Sequence, residues 1–377
     1  MHVLVAMDSF KGSLSSPEAC RAVAEGLALA SPAVRVDAIP MADGGEGSVS
    51  AFLSACGGRA VECDVSGLFG EPIRASYGLL SDGKTAVVET AAASGITLVP
   101  RERLDPLRAT TYGTGQLICR ALLDGCRRLI VGLGGSGTTD GGMGALAALG
   151  ARFLDESGAE LSPCGASLLC VDSVDLSGLC PAVRGAEIVL ACDVTNPLYG
   201  PRGAAYVFAP QKGADPATVA LLDQGLRRYA EAIRKSLGVD IAEVPSAGAA
   251  GGLGAGLIVG LGATVRSGFS VLSETVGLAD RIRRADLVIT GEGKTDRQTA
   301  LGKLPAGVAA LCRQANVPVL CISGAVEHAP ELDALFDGLF SIANGPITLD
   351  EAIRRAAPLL TAVSRNAFST FLAGRRK

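Results

Sequence analysis

The chain opens with Val3, Leu4, Val5, Ala6 and Met7, an apolar run that stops at Asp8, and short aliphatic runs halted by polar, glycine-rich segments return along its length. Over the first sixty residues strand and helix patterns alternate: strand Val3 to Met7, helix from Pro17, strand Val34 to Pro40, helix from about Ser48. Ser15, Pro17 and Glu18 give the first helix a capping box and a proline at its first position. The alternation resumes near the C-terminus with strands Leu287 to Thr290, Val317 to Ser323 and Leu339 to Ala343, and a last helix after Asp350. Aliphatic, non-alternating strands separated by helices predict a parallel sheet covered on both faces.

The middle of the chain has a different texture. Val61 to Val65, Ile73 to Leu80 and Thr85 to Ala91 read as shorter strands joined by turn residues such as Ser81, Asp82 and Gly83. Leu129 to Leu133 and Ile188 to Cys192 are further strands, each entering a candidate site loop. The expected architecture is α/β with two domains. A doubly wound parallel sheet is built from both chain ends, residues 1–57 plus 266–377, and an inserted α+β domain, residues 58–265, carries glycine-rich loops. The cleft between such domains is the natural place for a site.

Composition narrows the function classes. With 377 residues, 48% of them hydrophobic, the chain can bury a sizeable core. A net charge of −4, five Tyr, ten Phe and no Trp provide neither a basic field nor a stacking platform, so no nucleic-acid partner is expected. Eleven cysteines, without a CxxC pair and odd in number, read as small buried hydrophobes in a reducing compartment, which points to the cytoplasm. Val3 to Ala6 is too short for a signal peptide. Val244 to Val265 lacks charge and is long enough to span a bilayer, but it is mostly Gly and Ala, so no membrane span is expected.

The chemistry concentrates in five segments: MDSFKGS (Met7 to Ser13), MADGGEG (Met41 to Gly47), GLGGSGTTDGGMG (Gly132 to Gly144), CDVTNPL (Cys192 to Leu198) and TGEGKTD (Thr290 to Asp296). Glycine loops after strands present free backbone N–H groups to phosphate or carboxylate oxygens. The acids in the same loops, Asp8, Asp43, Glu46, Asp140, Asp193, Glu292 and Asp296, oppose an anion unless a cation joins it. Phosphate chemistry with a divalent metal follows, since Mg²⁺ needs only one or two carboxylates and a further one can take a hydroxyl proton.

Other site types fit less well. The two histidines, His2 and His328, cannot furnish a Ser/His/Asp triad or a histidine-rich zinc site. Gly302 and Lys303 are followed by Leu304, so there is no Walker A loop. GLGGSG, with Asp155 at the spacing of a ribose-binding acid, leaves an NAD-dependent oxidoreductase as a rival reading. Asp140 weighs against it because it would repel the diphosphate, and its plainer role is to cap the short helix that follows.

These segments, together with TYGTGQLI (Thr111 to Ile118), APQKGA (Ala209 to Ala214), GAAGGLGAG (Gly248 to Gly256), ALGKLPAGVA (Ala300 to Ala309) and SGAV (Ser323 to Val326), resemble the type I glycerate kinases, the glycerate 2-kinases. The resemblance implies ATP-dependent, Mg²⁺-assisted phosphorylation of D-glycerate, usually to 2-phosphoglycerate, and two α/β domains, one of them flavodoxin-like. It implies as site candidates Asp8, Ser9 and Lys11; Asp43, Gly44, Gly45 and Glu46; Ser136 and Asp140; Asp193 and Asn196; Gln211 and Lys212; and Glu292, Asp296, Gln298 and Lys303.

Within that frame Asp193 or Asp296 is the base, with Lys11 in the catalytic set. Asp8, Ser9, Lys212 and Asn196 contact substrate. Gly134, Gly135, Ser136, Asp140 and the Asp43 to Glu46 segment hold the nucleotide, and Glu292 and Asp296 hold the metal. A monomer or homodimer is expected. The alternatives are a 3-phosphoglycerate-forming kinase or a kinase of another small hydroxy acid. Gly137 and Thr139 stand where the resembled loop, GGSATNDGG, has Ala and Asn, and Ala209 and Lys294 where Gly and Arg are common.

Overall fold

The computed structural model describes residues 1–42, 47–300, 302–327 and 329–375. The chain divides into two compact units, one of Met1–Asp43, Ser50–Gly57 and Phe269–Lys377, the other of Gly44–Val49 and Gly58–Gly268.

In the first unit five parallel strands lie in the order Gly338–Ser341, Val319–Ser323, Leu287–Gly291, His2–Met7, Arg35–Ala38. Numbered along the chain this is 2-1-3-4-5, the flavodoxin-like order of a doubly wound sheet. Val3, Val5, Met7, Leu287, Ile289 and Ile322 pack under the helices Ser16–Ala30 and Ala356–Gly374. Each such burial contributes about 1.5–3 kcal/mol. The capping box forms, with Glu18 Oε2 accepting from the Ser15 N–H at 2.8 Å and its hydroxyl at 2.7 Å. Pro17 falls one position later than expected, because Ser16 is already helical.

The second unit is built on a six-stranded sheet in the order Thr264–Arg266, Glu187–Ala191, Arg128–Gly132, Thr85–Glu89, Pro72–Leu80, Gly58–Ser66. The first four run parallel, Pro72–Leu80 pairs antiparallel with Thr85–Glu89, and Gly58–Ser66 pairs antiparallel with Pro72–Leu80. The helix Pro216–Leu237 packs Leu222, Leu226, Tyr229 and Ile233 into a second apolar cluster with Phe153 and Leu168. Its start is fixed by Asp215, which accepts from the Thr218 N–H at 2.7 Å. The uncharged Val244 to Val265 stretch folds as a 3₁₀ turn, the helix Leu253–Leu261 and the strand Thr264–Arg266. Among the described residues no helix is long and apolar enough to cross a membrane.

Among the described residues no cysteine forms a disulfide, but only Cys20, Cys126, Cys312 and Cys321 are buried; Cys170 is exposed and the rest are intermediate. The reading of the cysteines as buried hydrophobes therefore holds for a minority of them.

Candidate active site

In each unit the candidate loops leave the C-terminal ends of neighbouring parallel strands, where ligands collect in open α/β sheets. In the first unit Met7 pairs in register with Gly291, and the Asp8 N–H donates to the Gly291 carbonyl at 2.9 Å. The loops that begin at Asp8 and Glu292 are thereby set side by side. Asp8 accepts from the Ser9 N–H at 2.7 Å, and Lys11 is exposed on the same loop.

Glu292 is 7% exposed, and its Oε1 accepts from the hydroxyls of Thr299 at 2.6 Å and Thr295 at 3.2 Å. Thr295 in turn lies 2.7 Å from the Ser323 hydroxyl. Burial pushes the Glu292 carboxyl above its ordinary value, against the Thr299 hydroxyl and the Lys303 charge. At Asp296 burial also raises the carboxyl, but the Gln298 N–H and the ammonium groups of Lys303 at 3.9 Å and Lys294 at 3.5 Å outweigh it, so this acid sits below its ordinary value. Thr295, Thr299 and Ser323 were missed in the sequence; the signal was present as threonines three and seven residues after Glu292.

In the second unit the strand Arg128–Gly132 lies beside Glu187–Ala191, so the loop Gly134–Asp140 adjoins the loop that carries Asp193 and Asn196. Asp193 is exposed and accepts from the Gly268 N–H at 3.2 Å, while the Asn196 amide donates to the Arg202 carbonyl at 2.8 Å. The N–H groups of Gly134, Gly135, Ser136, Thr138 and Thr139 donate to no acceptor among the described residues, and the Thr138 and Thr139 hydroxyls are buried without a partner. Buried polar groups call for a partner, so this loop is equipped to receive an anion or water.

Two buried charges shape the loop from within. Asp140 is fully buried: Oδ2 accepts from the Thr111 N–H at 2.7 Å, the Thr111 hydroxyl at 2.8 Å and the Gly144 N–H at 3.2 Å, and Oδ1 from the Gly142 N–H at 3.0 Å. Burial raises its carboxyl above the ordinary range despite those donors. Lys212 is 1% exposed and donates to Ser136 Oγ at 3.0 Å and to the Thr138 carbonyl at 2.6 Å. Burial drives its ammonium down to about 7, with Asp140 pulling the other way.

Two expectations change as a result. Asp140 turns its carboxylate into the protein, where it organises the loop, instead of toward a nucleotide. Lys212 likewise faces the loop from inside, where no substrate contact is open to it. Asp155 is no ribose acid either: it ends the strand Arg152–Leu154 of a separate two-stranded sheet, and accepts from Ser157 and Ala159 in a turn. That removes the support for a dinucleotide site at Gly132 to Gly137. Gly134 and Ser136 lie on the loop as expected, Gly135 is exposed at its tip, and Gln211 and Gln298 are exposed. Asp43, Gly44, Gly45 and Glu46 lie outside the described residues.

An α/β chain whose sheet-edge loops hold carboxylates, lysines and open backbone N–H groups has the equipment of a phosphotransferase. Comparison with known proteins makes the class specific. The family model described as the glycerate kinase family matches residues 3–372. Glycerate 2-kinase of Escherichia coli is 44% identical, covering 100% of this chain and 99% of that protein, and glycerate kinase of Bacillus subtilis is 44% identical over 97% and 96%. The crystal structure of a Salmonella typhimurium LT2 protein, described provisionally as glycerate kinase 2, superposes with a TM-score of 0.91 at 42% identity, over the whole of both chains. The chain belongs to the glycerate kinase family and is a kinase.

Proposed function

We propose that this enzyme transfers the γ-phosphoryl group of ATP to the 2-hydroxyl of D-glycerate in a direct in-line step, giving 2-phosphoglycerate. The observation that carries the reading is the glycine-rich loop whose tip, Gly134 and Gly135, reaches the surface with N–H groups that donate to no acceptor among the described residues, beside the Asp193 loop in a chain 44% identical to a protein named glycerate 2-kinase. Direct transfer asks the protein mainly to position reactants and offset charge, which suits this inventory.

The N–H groups of Gly134 and Gly135, at the tip of the glycine-rich loop, take the ATP phosphates. Asp193 or Asp296 accepts the proton of the attacking hydroxyl; Asp193 is exposed, and Asp296 stays ionised beside Lys294 and Lys303. Lys11, Asp8 and Ser9 serve the substrate, together with Asn196.

A magnesium ion accompanies ATP in this chemistry and offsets charge on the phosphoryl oxygens. Glu292 and Asp296 fit it as oxygen donors, because Glu292 Oε1 is already held by two hydroxyls and Oε2 is left as a ligand atom. Among the described residues no group of three or more His, Cys, Asp or Glu is placed to hold a metal, which suits a cation that arrives with ATP and keeps several waters. Eleven cysteines, none in a disulfide among the described residues, are in keeping with a cytoplasmic enzyme.

A Mg²⁺-dependent release of ADP with D-glycerate, and none with glyoxylate or without acceptor, is the expected result. Release of ADP only with other hydroxy acids would replace the substrate, and a nicotinamide absorbance change would replace the reaction class.

A further inference from the structure

The segment after Ala209 is shaped so that Lys212 enters the protein. Pro210–Lys212 forms a single 3₁₀ turn, and Gly213 follows at φ +94°, a conformation that favours glycine. A Cβ at Gly213 would stand 2.6 Å from the Leu104 carbonyl oxygen, so only glycine brings the chain this close to the neighbouring loop. The lysine that precedes it is delivered inward and meets a loop 74 to 76 residues earlier in the chain.

We propose that Lys212 is a positioning residue for phosphoryl transfer: by donating to Ser136 Oγ and the Thr138 carbonyl, it holds the glycine-rich loop in the shape that presents its N–H groups to the nucleotide phosphates. The inference rests on the phosphate-cradle reading of that loop. With 1% of its surface exposed, the ammonium has no open approach for phosphate and acts through the loop instead.

A buried lysine is an expensive way to fill space, since an apolar side chain of the same length avoids the desolvation of a charge. Its retention where two hydrogen bonds meet a candidate ligand loop points to function. The charge has one buried counterpart, Asp140, which pins the far end of the same loop to Thr111. Tyr229 lies beyond Asp140, with its hydroxyl held protonated by burial and by that carboxylate. On the outer side, Glu102, Arg103, Asp105 and Arg108 line a surface cavity of about 440 Å³ that Gly213 also borders.

This arrangement makes the cradle responsive to pH. An ammonium offers three donors and a charge, whereas the neutral amine keeps two donors and leaves Asp140 uncompensated. Burial draws the Lys212 ammonium down to about 7, and since the neutral amine can still make both hydrogen bonds, it is the loss of the charge facing Asp140 that would weaken the cradle as pH rises past neutrality.

The test is MgATP binding by calorimetry at pH 6 and pH 9, alongside kcat/KM for ATP across that range, in wild type, Lys212→Arg and Lys212→Met. Wild type is expected to bind more weakly and turn over less efficiently at the higher pH. Lys212→Met is expected to lose about 10²-fold in kcat/KM, the cost of a misplaced cradle, and to lose the pH dependence. Lys212→Arg, which stays charged, is expected to recover part of the efficiency with a flat alkaline side. Thermal unfolding of each variant at both pH values separates loss of fold from loss of positioning. A folded Lys212→Met that binds MgATP as wild type does, with the same pH dependence, overturns the inference. Binding that follows the prediction in a protein that leaves D-glycerate unphosphorylated would retain the role of Lys212 and remove the glycerate reading.

Discussion

Asp140 and Thr111 are joined twice, the carboxylate Oδ2 accepting both the Thr111 N–H at 2.7 Å and its hydroxyl at 2.8 Å. The same hydroxyl accepts from the Ala145 N–H at 2.9 Å, so one carboxylate and one threonine tie the glycine-rich loop, the helix Met143–Ala148 and the start of the helix Tyr112–Leu123 together. Replacing Asp140 with Asn keeps the shape, but one acceptor oxygen becomes a donor among donors. The expected loss is about 2–4 kcal/mol of unfolding free energy, measured by urea denaturation, because hydrogen bonds to a charged group are replaced by clashing N–H pairs. A loss under about 1 kcal/mol, the worth of an ordinary hydrogen bond, would contradict this role.

Thr139 makes the opposite case. Its hydroxyl is buried without a partner among the described residues, and Thr139→Val removes that unsatisfied group while keeping the branched shape. The variant is expected to gain about 1 kcal/mol in stability. Equal or lower stability would show that the hydroxyl has a partner in solution, such as water or the nucleotide.

Gly251 sits at φ +69°, and a Cβ there would stand 2.0 Å from the Thr138 carbonyl, the atom that Lys212 grips from the other side. Gly251→Ala therefore strains the backbone and displaces the loop. The expected result is a lower melting temperature together with a raised KM for ATP. An unchanged KM for ATP would mean that the loop does not serve the nucleotide.

Stability and activity should respond to Lys212 in opposite senses. Its folded-state pKa of about 7 lies below the ordinary 10.5, so between those values the unfolded chain binds more protons than the folded one, and stability rises with pH across that window. Below about 7 the charge is buried in full and its cost is constant. Lys212→Met lacks this slope. Relative to that variant, wild type should gain unfolding free energy from pH 7 to pH 10 while its affinity for ATP declines. Parallel stability curves for the two proteins would show that the lysine titrates as it does in water.

The carboxylate assignment makes a simpler demand. Asp193→Asn and Asp296→Asn should each stay folded, and the base among them should lose at least about 10²-fold in kcat, the usual contribution of general base catalysis. Near wild-type turnover in both would remove the two acids from the reaction.

Much of the fold was legible because it is local. The run Val3 to Met7 became the strand His2–Met7, and Ser15 with Glu18 became a capping box, since period and capping depend on neighbours in sequence. The places of Asp140, Lys212 and Asp155 were not legible in that way. Each is an acid or lysine in a loop, and local pattern does not tell an exposed charge from one folded inward against a segment 29 or 74 residues away. Asp155 had the spacing of a ribose acid, but the strand before it joins a two-stranded sheet, and pairing of that kind is settled by tertiary packing.

The most direct measurement of the central claim is phosphorus NMR of the purified protein with MgATP and D-glycerate, which reports turnover and product in one spectrum. The account predicts that the ATP γ-phosphate signal is replaced by that of 2-phosphoglycerate. A 3-phosphoglycerate signal would contradict the regiochemistry, and ATP left intact would contradict glycerate as the substrate.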